Sequence, residues 1–195
     1  TIVLWDVLPS SSTFGEALKV MKGHKYSVTN VAFSPDGQTA LSGGCGRQTL
    51  QTNNCAQGEL ILWDIETGES IRRFGGDIDG HSDEITSVVF EPGGRFAVSG
   101  SRDNTLILWW VDRGEPIRTF TGHQDDIESV TIGPNGDFII SGSADGNIIM
   151  WNTDTGDSIR ILKGHLDRVF SVDFSSDGKS LLSGSWDNSL ILWNL

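Results

Sequence analysis

Each of the four histidines follows a glycine, at Gly23-His24, Gly80-His81, Gly122-His123 and Gly164-His165. A serine lies 18 residues after each of them, at Ser42, Ser99, Ser141 and Ser183. An aspartate lies 22 residues after the last three, at Asp103, Asp145 and Asp187. Serine, histidine and aspartate are the parts of a nucleophilic triad, in which a carboxylate orients an imidazole that activates a hydroxyl. Three copies in one register argue against that use, because a catalyst needs one such set with an oxyanion hole beside it. A repeated set suits an element of the fold, where buried hydroxyl and indole groups are satisfied and His makes a charge-assisted bond to Asp. No catalytic residue is assigned.

Other site chemistry fares no better. The histidines fall in four different units, so their rings are spread apart, and neither His-x₃₋₅-His nor Cys-x₂-Cys spacing occurs. The glycines sit in turns with no Gly-Lys-Ser/Thr after them, so no phosphate loop is read. Neither a metal nor a cofactor is expected. Cys45 and Cys55 are ten residues apart: either two free thiols, or a disulfide bracing a long loop in an oxidising compartment.

The spacing is that of an internal repeat. His81, His123 and His165 are 42 residues apart, and a Trp follows each by 28, at Trp109, Trp151 and Trp193. Each unit reads as four short strands, which in the third unit are Ile127 to Ile132, Phe138 to Ser141, Ile148 to Trp151 and Asp157 to Leu162. Turns such as Ser34-Pro35-Asp36-Gly37 and hairpin signals such as Asp103-Asn104 and Asp145-Gly146 separate them. First strands carry apolar residues at offsets 0, 3 and 5, as in Val28/Val31/Phe33 and Ile127/Val130/Ile132, and the three-residue step predicts a β-bulge. Third strands such as Leu106-Ile107-Leu108 are apolar without alternation, as when both faces are covered. Short four-stranded sheets buried on both sides are propeller blades.

These residues resemble the WD40 β-propeller family, through the Gly-His dipeptides, the Trp-Asp pairs Trp5-Asp6 and Trp63-Asp64, and the period. The resemblance covers the whole chain and implies an all-β fold of four-stranded antiparallel blades, an incomplete ring or part of a larger propeller. It also implies hydrogen-bonded structural tetrads, His81/Ser99/Asp103/Trp109, His123/Ser141/Asp145/Trp151 and His165/Ser183/Asp187/Trp193. Asn152 and Asn194 depart from the Trp-Asp pattern, as does Trp110 after Trp109. Gly46 stands where the first unit's tetrad Asp belongs, so that tetrad is expected to lack its acceptor. Residues 1–195 divide into the end of a preceding blade (1–23), a blade (24–74) with an insertion (43–58), two further blades (81–120 and 123–162) and an incomplete blade (165–195).

The insertions point to function. In the family's geometry the Gly43–Gly58 and Gly75–Asp79 insertions decorate one face of the disc, while the Pro9–Ser12 insertion points to the opposite one. The first face carries Tyr26, Asp83, Glu84, Arg102, Asp125, Asp126, Asp167, Arg168 and Trp186, and Trp, Tyr and Arg are enriched in interface hot spots. The expected function is a non-catalytic protein-interaction scaffold or sensor module of a larger signalling or assembly protein; the alternative is a small-molecule or peptide sensor using the central channel. With 26 acidic against 14 basic residues, net charge −12, the expected partner is a protein or peptide of basic character and not nucleic acid. No apolar run is long enough to span a membrane, a cytoplasmic location is the default, and self-association completing the ring is a further expectation.

Overall fold

The computed structural model describes residues 1–49, 51–75 and 79–195. Among them are seventeen β-strands and no helix. A two-stranded sheet pairs β1 (Ile2–Trp5) with β2 (Ala17–Met21). The first full blade joins β3 (Val28–Phe33), β4 (Thr39–Gln48), β5 (Cys55–Asp64) and β6 (Ser70–Phe74). The second holds β7 (Ile85–Phe90), β8 (Phe96–Ser101), β9 (Thr105–Trp110) and β10 (Glu115–Thr121). The third holds β11 (Ile127–Ile132), β12 (Phe138–Ser143), β13 (Asn147–Asn152) and β14 (Ser158–Lys163). The last has three strands, β15 (Val169–Phe174), β16 (Ser180–Ser185) and β17 (Leu190–Asn194).

The fold is all-β, built of antiparallel propeller blades, and no ring closes among the described residues. Local chemistry sets each turn. Asn104, Gly146 and Asn188 occupy the left-handed region at one position of the second-to-third-strand hairpins, with φ of 68°, 79° and 66°. The apolar step of three is absorbed as a bulge in every first strand, where pairing shifts at Val28/Asn30, Ile85/Ser87, Ile127/Ser129 and Val169/Ser171.

The core lies between sheets. Leu41, Leu60 and Leu62 of the first blade pack on Ile85, Val88 and Phe90 of the second, and comparable clusters join the second to the third and the third to the last. Polar side chains tie first strands together as well: Asn30 Oδ1 accepts from Val88 N (3.0 Å) and Ser87 Oγ from Val130 N (3.1 Å). A sheet without a neighbour keeps its apolar face in water. In the last blade Leu182, Leu190 and Leu192 are 46%, 73% and 72% exposed, whereas Ile140 and Ile148 at matching positions are fully buried. At the other end Val31 and Phe33 are exposed.

Apart from residue 50, which lies outside the described residues, the 43–58 insertion is a β-ribbon rather than a loop. Strands β4 and β5 run on past the blade, each ten residues long, and the insertion extends their pairing. Cys45 and Cys55 are joined in a disulfide across it, with Cα atoms 5.7 Å apart. Part of the Gly75–Asp79 insertion, residues 76–78, lies outside the described residues.

Candidate functional site

Three tetrads share one geometry. Trp109, Trp151 and Trp193 donate Nε1–H to Ser99, Ser141 and Ser183 Oγ at 2.8, 2.9 and 2.8 Å. Each Oγ lies 2.7 Å from the Nε2 of His81, His123 or His165, and the Nδ1 of each ring lies 2.9, 2.9 or 2.8 Å from Asp103, Asp145 or Asp187. One tautomer satisfies all the groups: Trp donates to Ser, Ser to His Nε2, and His Nδ1–H to Asp. The carboxylates are further held by backbone amides, as Ser82 N on Asp103 and Gln124 N on Asp145, both at 2.9 Å.

These bonds set the acidities. Burial pushes the Asp145 carboxyl up, but hydrogen bonds from His123, Gln124 N and Asn147 N outweigh it and hold it well below the ordinary carboxylate range. Asp187 is likewise held low by Ser189, Leu166 N and His165, and Asp103 is lowered by His81 and Thr105 against burial. The serine hydroxyls are fully used and buried, so none is presented to a substrate. The arrangement clamps each blade and does not build a nucleophile.

The first blade corrects the expectation drawn from Gly46. Ser42 Oγ accepts from Trp63 (2.7 Å) and lies 2.6 Å from His24 Nε2. The carboxylate comes from Glu59 on β5, whose Oε2 stands 2.8 Å from His24 Nδ1, although the N–H does not line up for a full hydrogen bond. Arg73 contacts the other oxygen. Glu59 lies four residues before Trp63, where Thr105, Asn147 and Ser189 precede their own tryptophans and bond the tetrad Asp at 2.6, 3.1 and 2.6 Å. That shared offset is the sequence signal that would have found it. A Cβ at Gly46 would meet Glu59 Cβ at 2.8 Å, so the missing side chain clears the space that Glu59 occupies.

The tetrads fix one face. Because His and Asp of each pair meet, the loops between blades and the second-to-third-strand hairpins lie together; Arg102 N, Ala144 N and Trp186 N bond Glu84 O, Asp126 O and Arg168 O at 3.0, 2.8 and 3.0 Å. Charged side chains link the blades there. Ser27 donates to Glu84 (2.8 Å), Arg102 stands 3.5 Å from Glu84, and Arg168 bonds Glu128 (2.9 Å) with Asp126 at 3.8 Å. Burial and the neighbouring Asp125 push the pKa of the Asp126 carboxyl above its ordinary value. Trp186, 62% exposed, lies against Phe170 with ring centres 4.7 Å apart, and the Arg168 guanidinium is 5.8 Å from its ring. Asp125, Asp167 and Tyr26 are exposed in the loops between blades. A polar groove of about 410 Å³ runs between the ribbon, through Gln48, Asn53 and Asn54, and Asp83, Glu84, Arg102 and Asp126. Among the described residues no three His, Cys, Asp or Glu side chains gather as metal ligands.

The family profile described as WD domain, G-beta repeat, matches residues 15–50, 70–109, 114–152 and 156–194. The chain belongs to the WD40 family. It is similar to a guanine nucleotide-binding protein subunit beta of Zea mays, 33% identical over 107 residues, 53% of this chain and 26% of the relative. The matched part thus spans about a quarter of that relative's length.

One WD40 position shows how a departure is accommodated. Asp64 and Asn152 cap the next turn by accepting from Thr67 N and Thr155 N at 2.7 and 2.8 Å. Trp110 has no such oxygen, yet Gly114 N still bonds Trp110 O at 2.8 Å. Its ring is stacked instead by Arg95 and Arg113, with guanidinium carbons 4.6 and 5.0 Å from the ring centre.

Proposed function

We propose that this WD40 array is a non-catalytic protein-interaction scaffold that holds a basic protein segment on the face carrying Trp186, Asp125, Asp167 and the β4–β5 ribbon. The observation that carries the reading is the convergence on one face of an exposed aromatic beside an arginine, an acidic border and a groove walled by the insertion. Aromatic anchors with a charged rim are the usual anatomy of a binding surface, and an acidic rim selects a basic partner by complementarity. Two further facts support it: the net charge of −12, and the WD40 relative whose name makes it a subunit of a larger protein. The tetrad hydroxyls are buried, which favours a scaffold over a hydrolase.

The test compares partners recovered by the wild-type chain with those recovered by Trp186→Ala and by Asp125→Asn with Asp167→Asn. A specific partner should be lost with the variants and kept with Glu66→Gln, which lies in a third-to-fourth-strand turn on the opposite face. Loss with Glu66→Gln alone overturns the choice of face.

A further inference from the structure

The ribbon carries a device that the other blades lack. Pairing between β4 and β5 is regular up to Cys45 opposite Gly58, then shifts twice in succession, at Cys45/Arg47 and at Arg47/Gln48. Beyond these irregularities the outer ribbon is held by the pairs Arg47–Gln57 and Gln48–Cys55 and by the bond from Thr49 N to Asn54 O at 2.8 Å, a short ladder with no neighbouring strand paired beside it among the described residues. The Cys45–Cys55 disulfide spans this stretch.

The root of the ribbon is fastened independently. Cys45 N bonds Ser27 O at 3.3 Å and Gly58 N bonds His81 O at 2.9 Å. Beyond the root, Gln48, Asn53 and Asn54 form one wall of the groove whose other wall is Asp83, Glu84, Arg102 and Asp126. The cross-link thus sits between the fastened root and this wall.

We propose that the Cys45–Cys55 pair is a redox-operated brace, which in the oxidised state holds the outer ribbon as a wall of the groove and on reduction by a dithiol releases it. Cys45 is buried and Cys55 partly exposed, so the reductant's thiolate attacks Cys55 Sγ. The S–S bond breaks, Cys45 leaves as a thiolate and takes up a proton. The reductant's second thiol then displaces Cys55 from the mixed disulfide, leaving two protein thiols and an oxidised, cyclic reductant. Both states are accommodated, because Cys45 Sγ lies 3.2 Å from Arg47 O and Cys55 Sγ lies 3.1 Å from Gln57 O, acceptors for the two new S–H groups. The brace stands on this geometry alone; its consequence, weaker binding of a cationic segment after reduction, rests on the function proposed above.

The experiment follows hydrogen exchange of the full 195-residue chain, oxidised and after dithiothreitol, with thiols counted in both states. Binding of an acetylated hexa-arginine peptide is titrated in parallel at low salt. Reduction should expose two thiols, speed exchange in residues 45–58 about tenfold or more and leave residues 127–163 unchanged. It should also weaken hexa-arginine binding severalfold, and the Cys45→Ser, Cys55→Ser double variant should match the reduced protein. Asp83→Asn with Asp126→Asn should weaken binding in the oxidised state, placing the peptide in the groove. Unchanged exchange after confirmed reduction, or two thiols in the untreated protein, overturns the brace, and equal, measurable hexa-arginine binding in both states overturns its effect on the groove. Faster exchange with no peptide binding in either state supports the brace and overturns the cationic reading of the face.

Discussion

Glu59 stands to His24 as an aspartate stands to each of the other three histidines, but it comes from the third strand instead of the hairpin, across the space that Gly46 leaves open. The substitution at 46 and the carboxylate at 59 are two halves of one arrangement. Gly46→Asp alone should therefore destabilise the first blade, because the new Cβ meets Glu59. Adding Glu59→Thr, which reproduces the Asp and Thr of the second blade, should recover most of the loss. Glu59→Gln should also destabilise the first blade, because His24 and Arg73 lose the carboxylate charge they face. Urea unfolding of these chains, with Glu59→Thr alone as the fifth, checks this, and additive losses in the double variant would contradict the exchange.

Acid should loosen the blades in two stages. Burial and Arg73 hold His24 below its ordinary value of 6.5, against the pull of Glu59. A histidine with a depressed folded value contributes stability that is whole above 6.5 and declines as pH falls below it. Asp103, Asp145 and Asp187 are depressed below 3.8, so their contribution is present above 3.8 and is lost only as pH falls beneath that value. Blade-resolved hydrogen exchange should show the first blade weakening between pH 6.5 and 5, and the others below pH 4. In Glu59→Gln the His24 titration, followed by imidazole NMR, should move to still lower pH.

Much of this fold was legible in the sequence, because a repeat writes each constraint several times. Bulges followed from the apolar step of three in every first strand, and hairpin positions from Asn or Gly at one offset. Where the pattern broke once, the sequence reading broke too. Glu59 was missed because the carboxylate was sought only 22 residues after His24, in the hairpin. Continued pairing across Gly43–Gly58 left no periodic signal, since its residues are mostly polar or glycine. The bonds from Asn30 and Ser87 to neighbouring blades were invisible because they depend on the placement of one sheet against another.

Cavity cost and buried-bond cost should separate in the tetrads. Trp151 is almost wholly enclosed, so Trp151→Ala should cost ~3–5 kcal/mol. Ser42 and Ser141 each hold one Trp and one His and are equally buried. Ser42→Ala and Ser141→Ala should therefore lose similar stability, in place of the smaller loss at Ser42 that a tetrad without a carboxylate would give. Thermal unfolding of the pair decides between them.

Exposed blade faces should drive association of the 195-residue chain. Leu182, Leu190 and Leu192 at one end and Val31 and Phe33 at the other are the apolar positions that neighbouring blades cover elsewhere. Light scattering at rising concentration should show dimers or larger species, and Leu190→Lys with Leu192→Glu should reduce them. A chain that stays monomeric at millimolar concentration would defeat this expectation.

The binding face should answer kinetically. Asp125 and Asp167 are exposed, and among the described residues the side chain of each accepts only the amide of the following residue, at 2.9 and 2.7 Å, a bond that asparagine keeps. Neutralising both should slow association with a basic partner and flatten its salt dependence, because rim charges act mainly on the encounter. Trp186 differs in kind. It is held between Phe170 and Arg168 while most of its surface faces solvent, so a partner finds it already oriented. Trp186→Ala should raise the dissociation rate with little change in association, as loss of a buried anchor does. Neither change touches a tetrad, so melting temperatures should stay within about 2 °C of the wild type, on the scale of surface substitutions. Surface plasmon resonance on the captured partner, at two salt concentrations, separates the two effects. If Trp186→Ala leaves dissociation unchanged while Asp125→Asn with Asp167→Asn alters it, the acidic rim and not the aromatic is the anchor.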